Sequence, residues 1–392
     1  MLLPLSDAPN PRGVPIVNYL LIAANIAVYL FVTVPLGFER PDVRDPAFAA
    51  YIDVVRETLP PNVPLRSVVA NMTAYDVYVF QHGYKPGAPQ ITDLLYSLFL
   101  HGGFMHLFGN MLFLWIYGDN VESRLGRLGY LFWYLATGIA ATLFFAVFSP
   151  GSMTPLVGAS GAISGVLGFY FLWFPRNVVR LFVFLFPIFM NVVTVPARIV
   201  LGIFLLVDNV LPFIFSSSDG GVAHGAHIGG FFAGLAVAWV LDRKQTAARP
   251  AEFHAATTEP APLSEAVEAG SLAEAARAYF ALPAEQTRRA LTPDASLALG
   301  RWLAANKHPE AALIVFRRHL RDYPTGPTAA AAHLGLGLIQ FEVQGQVASA
   351  YQHFLDALDL NPDPETAERA RVALGQIAAL QKYQIGRKSH PE

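Results

Sequence analysis

Long apolar runs dominate the chain from Val17 to Leu241, and from Asp242 onward an Ala-rich, charged pattern replaces them. A membrane span needs about 20 mostly apolar residues. Six stretches meet that length, at roughly 17–36, 104–122, 128–148, 157–174, 195–215 and 224–241. The segment from Val178 to Thr194 is also apolar, but Arg180, Pro187 and Asn191 interrupt it. It is expected to be an interfacial connection rather than a seventh span. The pattern therefore predicts an all-α protein, a six-helix transmembrane bundle followed by a soluble helical domain. The expected divisions are an N-terminal segment 1–16, a membrane domain 17–241, a linker 242–262, a helical domain 263–385 and a tail 386–392. Residues 242–262 are rich in Ala, Pro and Thr, as flexible connections are.

Charge fixes an orientation on this pattern. Short cytoplasmic loops carry an excess of Lys and Arg. Arg124 and Arg127 join the second and third spans, Arg176 and Arg180 the fourth and fifth, and Arg243 and Lys244 follow the sixth. With six alternating spans these fall on one side, together with Arg12, while the loops Ser149–Pro155 and Ser216–Gly221 contain no Lys or Arg. Both termini are expected in the cytoplasm, with a bacterial cytoplasmic membrane as the setting. The first apolar run lacks a small-residue cleavage site, so it is expected to be a retained span rather than a signal peptide. A net charge of −2 gives no case for a nucleic-acid partner. The absence of cysteine excludes disulfides, thiol catalysis and cysteine-ligated metals.

Polar residues at membrane depth are costly and usually functional. Ser160, within Gly158-Ala159-Ser160-Gly161, lies near the outward start of the fourth span. His227, within Ala226-His227-Ile228-Gly229-Gly230, lies near the outward start of the sixth. The topology puts both at one depth. A serine hydroxyl needs an adjacent base to act as a nucleophile, and His227 can serve as that base. Small residues recur at four-residue spacing at Ser160, Ser164 and Gly168, and again at Ala226, Gly230, Gly234 and Ala238. Such faces let helices approach closely in lipid, although taken alone they imply only packing. No acidic residue follows His227 at an orienting distance, so a Ser-His dyad is expected rather than a triad. His106 and Asn110 share one face of the second span, and both can donate hydrogen bonds to an oxyanion. They could equally hold helices together. The metal reading is weak, because no further ligand pair lies nearby. No metal and no cofactor are expected. His101 and His224 stand at membrane edges, where a solvated or loop-fixing role is expected rather than catalysis. Asp208, mid-span beside Asn209, suggests a water-filled cavity, a buried pair or a bond to a neighbouring helix.

In order along the chain, His106 with Asn110, Gly118-x-x-x-Glu122-x-Arg124-x-Gly126, Gly158-Ala159-Ser160-Gly161, and Ala226-His227 with Gly230 and Gly234 resemble the rhomboid intramembrane serine proteases. The resemblance covers roughly residues 95–241. It implies Ser160 as nucleophile, His227 as its base, His106 and Asn110 in the oxyanion hole, and transmembrane proteins cleaved near their outer ends as substrates. It also implies a structural role for His101 and a structural polar network around Glu122 and Arg124. The first loop has no Trp, and Ser164 stands where some members carry Tyr.

In the C-terminal half, Leu299-Gly300, Ala312, Phe316 and Pro324 follow a tetratricopeptide-like spacing. Phe341, Gly345, Ala350, Phe354, Ala357 and Pro362 repeat it about 38 residues later, which places an insertion in the intervening turn. A degenerate unit takes in Gly270, Ala275 and Tyr279; the alternative is a plain bundle of helical hairpins. If the repeats are real, the domain is expected to bind a cytoplasmic protein or peptide. Besides the leading reading of an intramembrane endopeptidase, a non-proteolytic scaffold or substrate-binding protein and a transporter remain as alternatives. The transporter is disfavoured by the lack of paired broken helices.

Overall fold

The computed structural model describes residues 2–185, 189–215, 223–248, 250, 253, 263–288 and 290–388. Helices dominate it. Among the described residues, four helices are long and apolar enough to cross a membrane: Ile16–Phe38, Arg127–Phe148, Ala197–Phe215 and His224–Ala247. Asp93–Phe99 and Phe104–Leu125 form a pair bent by 94°, which raises the number to five if it counts as one span. The helix Ser160–Trp173 is apolar but has only 14 residues.

The all-α expectation is corrected by one small sheet. Strands Leu2–Ala8, Val178–Leu185 and Phe189–Pro196 pair in that order, so the described residues of the expected interfacial connection are extended chain. Its Val, Phe and Thr residues suit a pleated surface. Pro4 sits in an edge strand, where a missing N–H leaves no central ladder bond unmade.

By Cα proximity the chain falls into two compact units. One comprises residues 1–6, 14–172 and 179–237; the other comprises 7–13, 173–178 and 238–392. In the first unit, the helix that begins at Ile16 is held by the carboxylate of Glu122. Its Oε1 accepts from the Val17 N–H at 3.1 Å and its Oε2 from the Asn18 N–H at 2.7 Å. These are first-turn donors that the helix itself cannot satisfy, and a negative charge is favoured there. Tyr130 donates to Asn18 Oδ1 at 2.8 Å, and Asn18 donates to the Leu114 carbonyl at 3.0 Å.

The long first loop is itself helical, with segments Pro46–Thr58, Leu65–Asn71 and Ala74–His82. Thr73 starts the last of them through a capping box with Asp76. Beyond it the loop clamps the strand-like stretch that leads into the Ser160 helix. Tyr84 and Leu156 exchange both backbone hydrogen bonds, at 3.0 and 2.8 Å, and the Gly158 N–H donates to the Ser97 carbonyl at 2.8 Å. Lys85, 4% exposed, stays inside by donating to the Phe80 and Gly83 carbonyls, with Asp93 at 3.9 Å.

The second unit is built from successive helices: Leu263–Glu268, Leu272–Ala281, Pro293–Ala305, Pro309–Asp322, Pro327–Glu342, Val347–Asp359 and Pro364–Lys388. Residues 242–247 of the expected linker continue the preceding helix, and most of the remainder lies outside the described residues. Helix also runs through residues 386–388 of the expected tail, whose last four residues are likewise outside them. Phe316 packs against Gly300 and Gly335, and Phe354 against Gly337, so the glycines make room for a ring. Burying each ring contributes about 1.5–3 kcal/mol. The first helices of these two pairs start 34 residues apart, at Pro293 and Pro327, whereas the second helices start 38 apart, at Pro309 and Val347. The extra length lies mainly in Pro327–Glu342, which has 16 residues against 13 in Pro293–Ala305, and not in the turn as expected.

Arg318, 2% exposed, donates to the carbonyls of Thr246 at 3.0 Å and Ala248 at 2.9 Å. A guanidinium thus satisfies carbonyls left over at a helix C-terminus. On the same helix as Arg318, His319 is 1% exposed, and burial holds it below the usual imidazole pKa, with Asp322 and Asp294 acting the other way. Its contribution to stability is fully present above the unfolded value of about 6.5 and is lost as pH falls from there toward the depressed folded value. Hydrogen-exchange protection across 309–322 is therefore expected to weaken as pH falls below about 6.5, by no more than about 1.4 kcal/mol per pH unit. The variant His319→Phe should flatten that dependence; an unchanged slope would remove His319 as its origin.

Candidate active site

Ser160 opens the helix Ser160–Trp173, and His227 lies in the first turn of His224–Ala247. Small residues bring these two helices together. A Cβ at Gly230 would strike the carbonyl oxygen of Gly161, one at Gly234 the carbonyl of Gly165, and one at Gly168 the carbonyl of Phe231. Backbone thus lies against backbone over two turns. The result is a hydrogen bond of 2.8 Å between Ser160 Oγ and His227 Nε2, with both side chains half-buried.

A third group stands behind the imidazole. Asn209 Oδ1 lies 2.7 Å from His227 Nδ1, and Asn209 Nδ2 donates to the Phe204 carbonyl at 2.8 Å. The second contact settles the first. With its amide nitrogen committed as a donor, Asn209 presents its oxygen to the ring, so Nδ1 must carry the proton. Nε2 then holds a lone pair and accepts from the serine hydroxyl. Asn209, 1% exposed, sits in the π-helical turn Leu206–Val210 of the Ala197–Phe215 helix. Such turns often mark functional positions because the extra residue redirects a side chain.

Asp208, for which the sequence suggests a cavity, a buried pair or a bond to a neighbouring helix, is the neighbour of Asn209. Its side chain is exposed, and Asn209 beside it makes the interhelical bond. Sequence reading assigned Asn209 no role. The available signal was an amide within an apolar helix, one position from a carboxylate.

His106 and Asn110 lie on Phe104–Leu125, four residues apart. The Gly102 N–H meets His106 Nδ1 at 3.4 Å, which leaves the proton on Nε2. That Nε2 edge faces Gly158. A Cβ on Gly158 would come within 2.8 Å of His106 Cε1 and Nε2, and its φ of +123° is one that only glycine adopts without strain. Asn110 is buried, and its Nδ2 has no hydrogen-bond partner among the described residues. An orphaned buried donor invites a purpose. The N–H groups in the first turn from Ser160 add further donors and the positive end of a helix dipole. The structure therefore gathers Ser160, His227 and Asn209 into one chain of hydrogen bonds and brings His106 to the loop beside the serine.

His101, 1% exposed, is tied into the first loop: its carbonyl accepts from Tyr75 Oη at 2.8 Å, and its N–H donates back at 3.2 Å. His224 starts the helix that carries His227. Ser164 is buried one turn beyond Ser160.

Several apolar helices of membrane-spanning length, with a histidine on one of them bonded to a serine on a shorter apolar helix, define an integral membrane protein with an internal polar site. Residues 88–244 match the Rhomboid domain family. Over 100 residues, 24% of the chain, it is 37% identical to Rhomboid protein 1, mitochondrial, of Saccharomyces cerevisiae, covering 29% of that protein. Over 144 residues, 37% of the chain, it is 36% identical to Rhomboid protease GluP of Bacillus subtilis, covering 25% of that protein. Over 151 residues, 38% of the chain, it is 35% identical to RHOMBOID-like protein 4 of Arabidopsis thaliana, covering 33% of it. The chain thus spans a quarter to a third of the length of these relatives.

Proposed function

We propose that the protein is an intramembrane serine endopeptidase that cleaves transmembrane protein substrates near the outer membrane face. The observation that carries this reading is the Ser160–His227 hydrogen bond with Asn209 behind it. In the reaction, Ser160 Oγ attacks the scissile carbonyl carbon while His227 Nε2 takes the hydroxyl proton. The resulting oxyanion is held by donors from His106, Asn110 and the Ser160 N–H. His227 returns its proton to the leaving amine as the C–N bond breaks. Water then attacks the acyl ester by the same route and frees the serine. Asn209 keeps the imidazole in the tautomer that both steps require.

Helix length supports a site below the membrane surface. Fourteen residues rise only about 21 Å, against a hydrocarbon core of about 30 Å. A short helix that ends near the cytoplasmic face starts below the outer one, and Ser160 is its first residue. Six spans result when the bent pair and this short helix join the four long ones. The Lys and Arg asymmetry of the short loops supports cytoplasmic termini. In the second unit, the recurring glycine–phenylalanine packing supports tetratricopeptide-like repeats that bind a cytoplasmic protein or peptide.

The test is reconstitution of the purified protein in liposomes with a single-span reporter. Wild type is expected to cut the reporter near its outer end, and Ser160→Ala to leave it intact. Equal cutting by both would remove Ser160 as nucleophile, and an uncut reporter with wild type would favour the non-proteolytic scaffold.

A further inference from the structure

The second unit contains a cluster that peptide hydrolysis does not use. His333 lies on Pro327–Glu342, and His353 and Asp356 lie one turn apart on Val347–Asp359, the other helix of the pair. Nδ1 of His333 is 2.9 Å from Nδ1 of His353 and 3.8 Å from Asp356 Oδ2, and one ligand atom from each of the three residues lies within 4.8 Å of the others. We propose that His333, His353 and Asp356 bind a divalent transition-metal ion of the zinc class, which pins the two helices together.

The donor set is the first ground. Two imidazole nitrogens and one carboxylate suit Zn²⁺, and three protein ligands leave a fourth position for water. Distance is the second. Nitrogens each about 2.0–2.1 Å from one Zn²⁺ lie about 3.3 Å apart in a tetrahedron. The two histidines are already near that spacing, and the carboxylate closes the remaining gap by side-chain rotation, with no movement of either helix. Rigid elements thus carry all three ligands.

The surroundings add a third ground. Arg176 Nη2 binds Asp356 Oδ1 at 3.3 Å and Asp359 Oδ2 at 2.6 Å, while Oδ2 is the Asp356 oxygen nearer His333. An outer hydrogen-bond partner of this kind orients a ligating carboxylate. All three ligand residues are partly accessible, so an ion and its water have a path in. The competing arrangement is a single proton shared between the two imidazoles, and the experiment separates the two.

Full-length protein without a polyhistidine tag, stripped with chelator in detergent, would be titrated with Co²⁺. Visible d–d bands report ordered coordination, and the chain has no cysteine to contribute thiolate bands. Wild type is expected to saturate at one equivalent, with the bands lost on adding Zn²⁺. His333→Asn and His353→Asn should each weaken binding at least about 100-fold. Asp356→Asn, which keeps the side chain's shape, should also weaken it in protein whose helical circular dichroism is unchanged. Saturation absent at one equivalent, or equal affinity in wild type and folded variants, overturns the site and leaves the shared proton.

Discussion

Replacing His227 by alanine is expected to slow cleavage of a single-span reporter by at least about 1,000-fold, and Asn209→Leu to slow it by about 100-fold. The first figure follows from losing the base: without an acceptor 2.8 Å from Ser160 Oγ, the hydroxyl keeps its proton. The second follows from the tautomer. Asn209 Oδ1 holds the proton on Nδ1, and leucine of similar size leaves the imidazole free to place it on Nε2, where it cannot accept from serine. The loss should fall in kcat with KM unchanged, because Asn209 acts through His227 rather than on substrate. Asn209→Asp retains an acceptor and should recover much of the rate, which a packing role alone would not produce. A leucine variant with the wild-type kcat would show that the imidazole needs no orienting partner.

Hydropathy makes some of this arrangement readable and hides the rest. Ser160 and His227 stand out because each is polar near the start of an apolar run, and alternating spans put those starts on one side. Asn209 is also polar within an apolar run, but Asp208 next to it carries the stronger signal. A one-residue choice of helix face depends on the π-helical turn at Leu206–Val210, which no periodicity reveals. The strands Val178–Leu185 and Phe189–Pro196, within and just beyond the expected interfacial connection, were hidden for another reason. Short apolar runs fit helix and strand alike, and pairing with Leu2–Ala8, far away in sequence, decides for strand. In the second unit the spacing of Phe316 and Phe354 was visible, yet the longer helix Pro327–Glu342 was not. His333 and His353 lie 20 residues apart, so only the folded helix pair brings their nitrogens together.

Gly230→Ala is expected to lower cleavage by at least about 100-fold, while Gly202→Ala is expected to leave it near wild type. Both glycines lie within apolar helices, so hydropathy and helix propensity treat the substitutions alike. Their surroundings differ. A Cβ at Gly202 meets nothing within 4 Å, whereas one at Gly230 runs into the Gly161 carbonyl oxygen. Backbone cannot step aside as a flexible side chain can, so the helices must separate, at a cost of about 1–3 kcal/mol for overpacking. The separation falls at the Ser160–His227 pair, because Gly161 follows Ser160 and Gly230 is one turn beyond His227. A displacement of about 1 Å there stretches the serine–histidine hydrogen bond past its useful range. The folded population should survive, since the cost is a fraction of a domain's stability of about 5–15 kcal/mol. Activity should therefore fall much further than the thermal midpoint. If Gly230→Ala lowers both in proportion, the defect is global unfolding; if it lowers neither, close approach of the two helices does not position the site.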